Sequence, residues 1–167
     1  MVYIPDIVNY KPFYIQQEGA AVAKDTTEWG LIAKSNPYPL LPNPKEPYKN
    51  EWKDENGDDE WCDEMHYEAI EMSVSFYIKA YAETLNTADQ KLHDQMDEFF
   101  AYIRNGKLKI YDSYTGIGRG NVRYAGYEEK QFIRRKNWAS AVFEIRFKIN
   151  DPITRYMFWG NTIINKI

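Results

Sequence analysis

Two stretches in which apolar and polar residues alternate constrain the fold of this chain more than any other feature. In residues 72–80 every second side chain is apolar, and the same pattern returns in residues 143–149. Successive side chains of a β-strand point to opposite faces of the sheet, so each stretch predicts a strand with one core face and one polar face. The second strand is expected to end at Asn150-Asp151-Pro152, because a proline restricts the residue before it.

One amphipathic helix is predicted between these two strands. Apolar residues recur at helical spacing over about 88–104, with Thr87 as the expected N-cap and Gln90 completing a capping box. The pair Asn105-Gly106 supplies the stop signal. At 1.5 Å per residue such a helix is roughly 25 Å long, which is enough to cover several strands.

Shorter β patterns complete the prediction of the fold. Residues 108–110 and 122–124 alternate on either side of a glycine-rich turn over 115–121, which predicts a hairpin with a second break at Gly126. In the N-terminal third, parts of 13–33 have the composition of strands. The predicted fold class is α+β, with a mostly antiparallel sheet or sandwich, one amphipathic helix and long loops.

The length of 167 residues predicts a single domain over residues 1–167. Five prolines between Pro37 and Pro47 remove too many amide donors for a helix or a central strand, and the acidic segment that follows contains the turn pair Asn56-Gly57. We therefore predict a long irregular loop at about 36–66.

Composition also bears on the compartment of the protein. No apolar run approaches the ~18 residues of a membrane span, and the N-terminus lacks a secretory signal pattern, so a soluble protein is expected. The single cysteine, Cys62, excludes an internal disulfide, which fits a reducing compartment.

The formal net charge of −4 conceals two regions of opposite sign. Residues 51–64 carry one base and eight acids, and the whole stretch 51–103 sums to −12, whereas 104–167 sums to +8. Charge runs are often no more than solvated faces. The alternative interpretation is that the chain has two surfaces of opposite sign that bind copies of itself.

The acidic segment raises the possibility of a cation site, but the EF-hand motif does not fit. With Gly57 at the sixth position of the twelve-residue loop, Trp52 takes the first position, where a carboxylate is required. An irregular cation site that uses Asp54, Asp58 or Asp59 stays open, and solvated acid is the favoured interpretation.

No other group of residues forms a recognisable catalytic or metal site. The glycines of 116–120 resemble a phosphate-binding loop, but such loops are followed by a helix and a strand pattern follows here. A structural zinc site needs four ligands in paired spacing, which the cluster Cys62, Asp63, Glu64 and His66 does not offer. Without a nucleophile motif, a structural protein is favoured over an enzyme, and no cofactor or metal is expected.

One basic patch has the composition of a nucleic-acid contact. Arg134, Arg135 and Lys136 are flanked by Phe132 and Trp138, a combination that suits phosphate contacts and base stacking. The acidic middle of the chain would repel a nucleic acid backbone. A basic subunit interface is preferred, and contact with nucleic acid is expected only if the patch lines a pore.

Several short motifs occur in an order that matches a known protein family. They are Trp29 to Leu31, Pro44-Lys45, Gly57 to Glu60, the strand over 72–80 and its helix, Gly106 to Ser113, Gly118-Arg119, and Asn150 to Pro152. Together they cover about 28–152. The chain resembles the ring-forming tail proteins of long-tailed bacteriophages, above all the N-terminal domain of distal tail proteins and, nearly as well, the tail terminator proteins.

This resemblance implies a function and a location. It implies a sheet-plus-helix fold, a hexameric ring around the tail axis, and a structural virion protein without enzymatic activity. The partners would be other copies of the chain and other tail or neck proteins, with no membrane, in a tail assembled in the host cytoplasm. The length leaves no room for the second, carbohydrate-binding-like domain of many distal tail proteins, so an adhesive role is not expected.

A closed head-to-tail ring needs two different, complementary patches on each subunit. The acidic loop and the basic region supply candidates, and exposed aromatic side chains are typical anchors of such interfaces. The predicted interface residues are Trp52, Asp54, Asp58, Asp59, Glu60, Trp61, Arg119, Arg123, Arg134, Arg135 and Lys136.

Two alternative functions remain open at this point. Within the same class, the protein would be a tail terminator or a head-tail joining ring. Outside it, the protein would be a small cation-binding protein or enzyme that uses the acidic loop.

Overall fold

The computed structural model describes residues 11–35, 41–51, 53–54, 56–61, 63–83 and 85–166. A short 3-10 helix (Thr26–Trp29) precedes the third strand. The other elements are β1 (Phe13–Gln17), β2 (Lys24–Asp25), β3 (Leu31–Ser35), β4 (Tyr48–Glu51), β5 (Asp58–Trp61), β6 (Ile70–Tyr81), α1 (Leu85–Ile103), β7 (Leu108–Asp112), β8 (Ile117–Arg135), β9 (Trp138–Ile149), β10 (Tyr156–Trp159) and β11 (Thr162–Asn165).

Nine of the described strands form one sheet, in which the order is β2-β1-β7-β8-β9-β6-β3 and the β10–β11 hairpin joins β8. Strands β4 and β5 form a separate two-stranded sheet. Every strand pair among the described residues is antiparallel, and α1 is their only α-helix. The predicted α+β fold class is confirmed.

The two alternating stretches form neighbouring strands of this sheet. Strands β6 and β9 pair along their whole length, from Ile70 opposite Ile149 to Tyr81 opposite Trp138. On one face of β6 every second side chain is buried, as the alternation predicts. We call this the inner face of the pair; its buried apolar residues are Ile70, Met72, Val74, Phe76, Ile78, Ala80, Ala139, Ala141, Phe143, Ile145, Phe147 and Ile149.

The sheet folds over so that its two halves pack against each other. Strands β1 and β6 are separated by three strands in the sheet order, so in a flat sheet they would lie about 19 Å apart at ~4.8 Å per step. The ring of Phe13 on β1 nevertheless lies 6.0 Å from that of Phe76 on β6 and 6.4 Å from that of Phe147 on β9. Strand β1 therefore covers the inner face.

Strand β8 connects the two halves. It has 19 residues; its first part pairs with β7, and the rest, from Val122 onward, pairs with β9. Its register shifts between Tyr124 and Gly126 and again between Glu129 and Gln131. Such bulges bend a strand and increase its twist, which lets one strand contribute to both layers.

The helix packs on the inner face beside β1. The ring of Phe99 lies 5.8 Å from Phe76 and 5.3 Å from Trp29, which follows β2. The predicted helix is confirmed, but it begins at Leu85, so Thr87 lies in its first turn and is not the N-cap. Gly106 beyond its end has a φ of +72°, the left-handed conformation expected of a helix stop.

The structure corrects two further predictions. Strand β8 continues through Gly126 without a break, and a Cβ atom there would lie 2.6 Å from Nη2 of Arg146, so this glycine allows close packing and does not form a turn. The loop predicted as irregular contains the β4–β5 hairpin. In that hairpin Tyr48 lies opposite Trp61, and cross-strand aromatic pairs stabilise antiparallel strands.

Candidate subunit interface

Between β3 and β6 the described residues of 41–68 form an arm, and the name is used for these residues below. Its base is closed by a β-bridge between Pro44 and Tyr67, and Lys45 N donates a hydrogen bond of 2.8 Å to the carbonyl oxygen of His66. Glu68 N closes the other side of the base with a bond of 2.8 Å to the carbonyl of Asn43. The arm is therefore a defined hairpin on a hydrogen-bonded base.

Two large aromatic side chains lie exposed on the arm. The rings of Tyr48 and Trp61 are 5.3 Å apart, yet the residues are 73% and 51% exposed. Because aromatic side chains bury a large area and are enriched in interfaces, an exposed pair of this kind indicates a contact surface.

The strand of the arm that follows Gly57 is acidic and exposed. Asp58, Asp59 and Glu60 are all exposed, and we call them the arm tip. One cation is close to it, since Nζ of Lys49 lies 3.8 Å from Asp58 and 3.4 Å from Glu51. The hydrogen bond that Lys49 donates to Glu51, together with the carboxylate of Asp58, raises the pKa of Lys49.

The predicted basic cluster lies at the turn between β8 and β9. Nη2 of Arg134 is 3.0 Å from Oδ2 of Asp89 on α1, so this charge is already paired within the chain. The guanidinium of Arg135 lies 5.9 Å from the Trp138 ring, and Lys136 is exposed in the two-residue turn. The structure thus brings the three bases together, with one of them bound to the helix.

Arg119, another basic residue predicted to lie in the interface, is not part of this cluster. It is only 4% exposed, and its Nη1 donates to the carbonyl oxygens of Pro152 and Thr154 at 2.9 and 3.4 Å. It therefore anchors the segment after β9 to β8. A side chain enclosed in this way is not available to a neighbouring subunit.

The segment held by Arg119 contains a turn capped by Asp151. Its Oδ1 accepts hydrogen bonds from the amides of Ile153 and Thr154 at 3.2 and 3.0 Å. Burial alone would raise the pKa of Asp151, but the hydrogen bonds from Thr154 and Ile153, with the charge of Arg119, hold it below its ordinary value. This carboxylate has a structural role.

A second basic surface surrounds a pocket of about 480 Å³ where the end of α1 meets β8. Arg104, Lys107 and Arg123 line it together with Gly106, Asn121, Val122, Tyr124 and Asn150. We call it the basic pocket. Of these three bases only Arg123 was predicted from the sequence. Arg104 and Lys107, on either side of the helix stop, carried a signal as well, since cations are favoured near a helix C-terminus.

Two residues with a predicted role lie outside the part of the chain that the structure describes. Trp52 and Cys62 are outside the described residues, so neither the interface prediction for the first nor the zinc alternative for the second is tested. Within the described part of the chain, no group of three or more His, Cys, Asp or Glu side chains converges on a possible metal position. In the same part, no helix is long and apolar enough to cross a membrane.

Comparison with known proteins gives a match at the level of structure. No protein-family model matches the sequence, and no curated protein matches it. Among solved structures, the crystal structure of the Dit protein (gp 19.1) of phage SPP1 matches with a TM-score of 0.58. The chain shares the fold of a phage distal tail protein. The resemblance predicted from the sequence motifs is therefore confirmed in the fold.

The match to Dit extends over most of this chain but not over most of Dit. It covers 87% of this chain and 52% of the Dit chain, with 14% sequence identity. That Dit protein is described as a paradigm of the hub of the adsorption apparatus in phages that infect Gram-positive bacteria. At this level of identity the likeness shows a shared fold.

Proposed function

We propose that this protein is a structural protein of a bacteriophage or prophage tail that forms a ring at the distal, adsorption end. The observation that carries this proposal is the Dit fold over 87% of the chain. The SPP1 protein belongs to the hub of the phage adsorption apparatus. The protein would therefore be located in the virion tail, with its own copies and other tail proteins as partners.

The surface of the chain supports self-association. An exposed aromatic pair and an acidic tip lie on the arm, and a basic pocket and a basic hairpin turn lie elsewhere on the same subunit. Two unlike patches of opposite charge suit the head-to-tail contacts of a closed ring. We infer a hexamer as the closed form.

Mass measurement tests the proposal directly. Native mass spectrometry and light scattering over a range of concentrations should give a species with about six times the 19.8 kDa of one chain. Negative-stain images of that species should show rings with a central opening. A chain that stays monomeric at high concentration and is stabilised by calcium would contradict the proposal and favour the cation-binding alternative.

Location in the tail separates the distal hub from the terminator. The Dit match favours the distal end. Antibodies against this chain should label the end of isolated tails that lies farthest from the head. Labelling at the junction of head and tail would instead assign the chain to the terminator or joining ring.

A further inference from the structure

We propose that the arm tip of one copy docks in the basic pocket of the next copy in the ring. The inference rests on the proposed ring-forming function and names the two surfaces that meet. The chain has two basic surfaces that an acidic tip could bind, the basic pocket and the β8–β9 turn. The sequence pointed mainly to the turn, at Arg134 to Lys136.

The two basic surfaces differ in whether their cations are paired with carboxylates of the same chain. At the β8–β9 turn, Arg134 is paired with Asp89 at 3.0 Å and lies over the Phe132 ring, so part of that charge is used inside the chain. In the basic pocket Arg104 also lies over a ring, that of Phe100, and Arg123 donates to the carbonyl of Tyr124, but the lining residues include three cations and no carboxylate. An acidic partner therefore gains more at the pocket.

The pocket also has room for acidic side chains. Its volume is about 480 Å³, and it is open to solvent on one side. Asn121 and Asn150 add amide groups to the lining, which can donate hydrogen bonds to carboxylate oxygens. The site is thus suited to carboxylates in both charge and hydrogen bonding.

The base of the arm lies near the basic pocket of the same chain. The arm is inserted between β3 and β6. Asn150, which lines the pocket, also lines a cleft with Lys45, Tyr67 and Glu68 at the base of the arm. The arm tip is exposed, so it does not fill the pocket of its own chain. The six residue steps from Lys45 to Glu51 span up to about 20 Å at ~3.3 Å per step, so the arm can hold its tip that far from its base.

Charge reversal on each surface tests the contact in the full chain. We expect the pocket variant Lys107→Glu/Arg123→Glu and the tip variant Asp58→Lys/Asp59→Lys each to weaken self-association at least about tenfold, measured by sedimentation. Higher salt should weaken association of the wild-type chain. Circular dichroism and thermal unfolding should show that each variant stays folded, because all four residues are exposed.

Mixing the two variants gives the decisive readout. A reversed tip fits a reversed pocket, and the wild-type tip of the pocket variant fits the wild-type pocket of the tip variant. An equimolar mixture should therefore form rings in which the two variants alternate, and one chain with all four substitutions should assemble alone. Variants that each assemble poorly but fail to restore assembly on mixing would overturn the proposal.

A matched variant at the other basic surface completes the experiment. Arg135→Glu/Lys136→Glu changes the charge by the same amount and should leave self-association within about threefold of wild type. If this variant loses assembly while the pocket variant keeps it, the docking site is at the β8–β9 turn and our assignment is wrong, although the proposed function stands. A wild-type chain that never self-associates would contradict both.

Discussion

The rings of Phe13 and Phe76 can touch only because the sheet folds over. A measurement of the interaction between these two residues therefore tests the architecture of the whole sheet. Both residues are fully buried, and their rings meet edge to face at 6.0 Å with an interplanar angle of 78°. Such a pair contributes about 0.5–1.5 kcal/mol beyond the area it buries. We therefore expect a coupling free energy of about 1 kcal/mol between these positions.

A double-mutant cycle measures this coupling. Phe13→Leu and Phe76→Leu keep both positions apolar, and each is expected to lower the free energy of unfolding by about 1–3 kcal/mol. The double variant should lose about 1 kcal/mol less than the sum of the two single losses, because the second substitution removes a contact that is already gone. Urea unfolding followed by circular dichroism gives each value, with an unchanged slope as the sign of an intact transition.

As a control, the same double-mutant cycle is measured for Phe13 and Phe100. The ring of Phe100 packs on Tyr124 of β8. Phe100 is 41% exposed, and its substitution by leucine should add to that of Phe13 within about 0.5 kcal/mol. Simple additivity for Phe13 and Phe76 as well would refute the folded-over sheet. It would place the two rings on separate parts of an open sheet, where they are too far apart to interact.

Three further substitutions test other parts of the fold. Gly118→Ala should lower the free energy of unfolding by about 1–3 kcal/mol in urea titrations, because the new Cβ would lie 2.6 Å from the backbone oxygen of Tyr156 and separate β10 from β8. Arg119→Met should cost about 1–3 kcal/mol in thermal unfolding, since it removes the bonds to two carbonyl groups. Burial, with the Glu129 carboxylate, raises the pKa of Tyr127 to about 12, so its hydroxyl should ionise above the ordinary tyrosines in ultraviolet titration, and Tyr127→Phe should remove that step. Because the folded-state pKa is raised, this group's contribution to stability is complete below pH 10 and is lost as the pH rises toward 12.

The strands and the helix were predictable because local periodicity reports burial directly. The alternation over 72–80 marks the inner face of β6, and the helical spacing up to Ile103 marks the face of α1 that packs on it. The folding-over of the sheet was not predictable in the same way. It depends on contacts between residues as distant in sequence as Phe13 and Phe147, and no local pattern encodes such a contact.

The arm and the interface residues show a second limit of sequence analysis. The β4–β5 hairpin has no apolar alternation because both of its strands are almost wholly exposed, so its pairing depends on cross-strand pairs such as Lys49 opposite Glu60. Arg119 looked like a surface charge because composition does not show burial. The carbonyl groups that it binds belong to the backbone, and their position follows from the tertiary fold alone.

The distribution of charge also restricts the symmetry of the proposed assembly. In a two-fold dimer with the arm on the symmetry axis, Asp58, Asp59 and Glu60 would lie against the same residues of the partner. Like charges about 4 Å apart in water repel by ~1 kcal/mol per pair, and several such pairs would act together. A head-to-tail arrangement instead sets each acidic tip against a basic surface, so the small net charge of −4 conceals a strong preference for contacts between unlike patches. A head-to-tail ring meets this preference, and so does a two-fold dimer in which each arm tip docks in the basic pocket of the other copy, so the measured mass decides between the two assemblies.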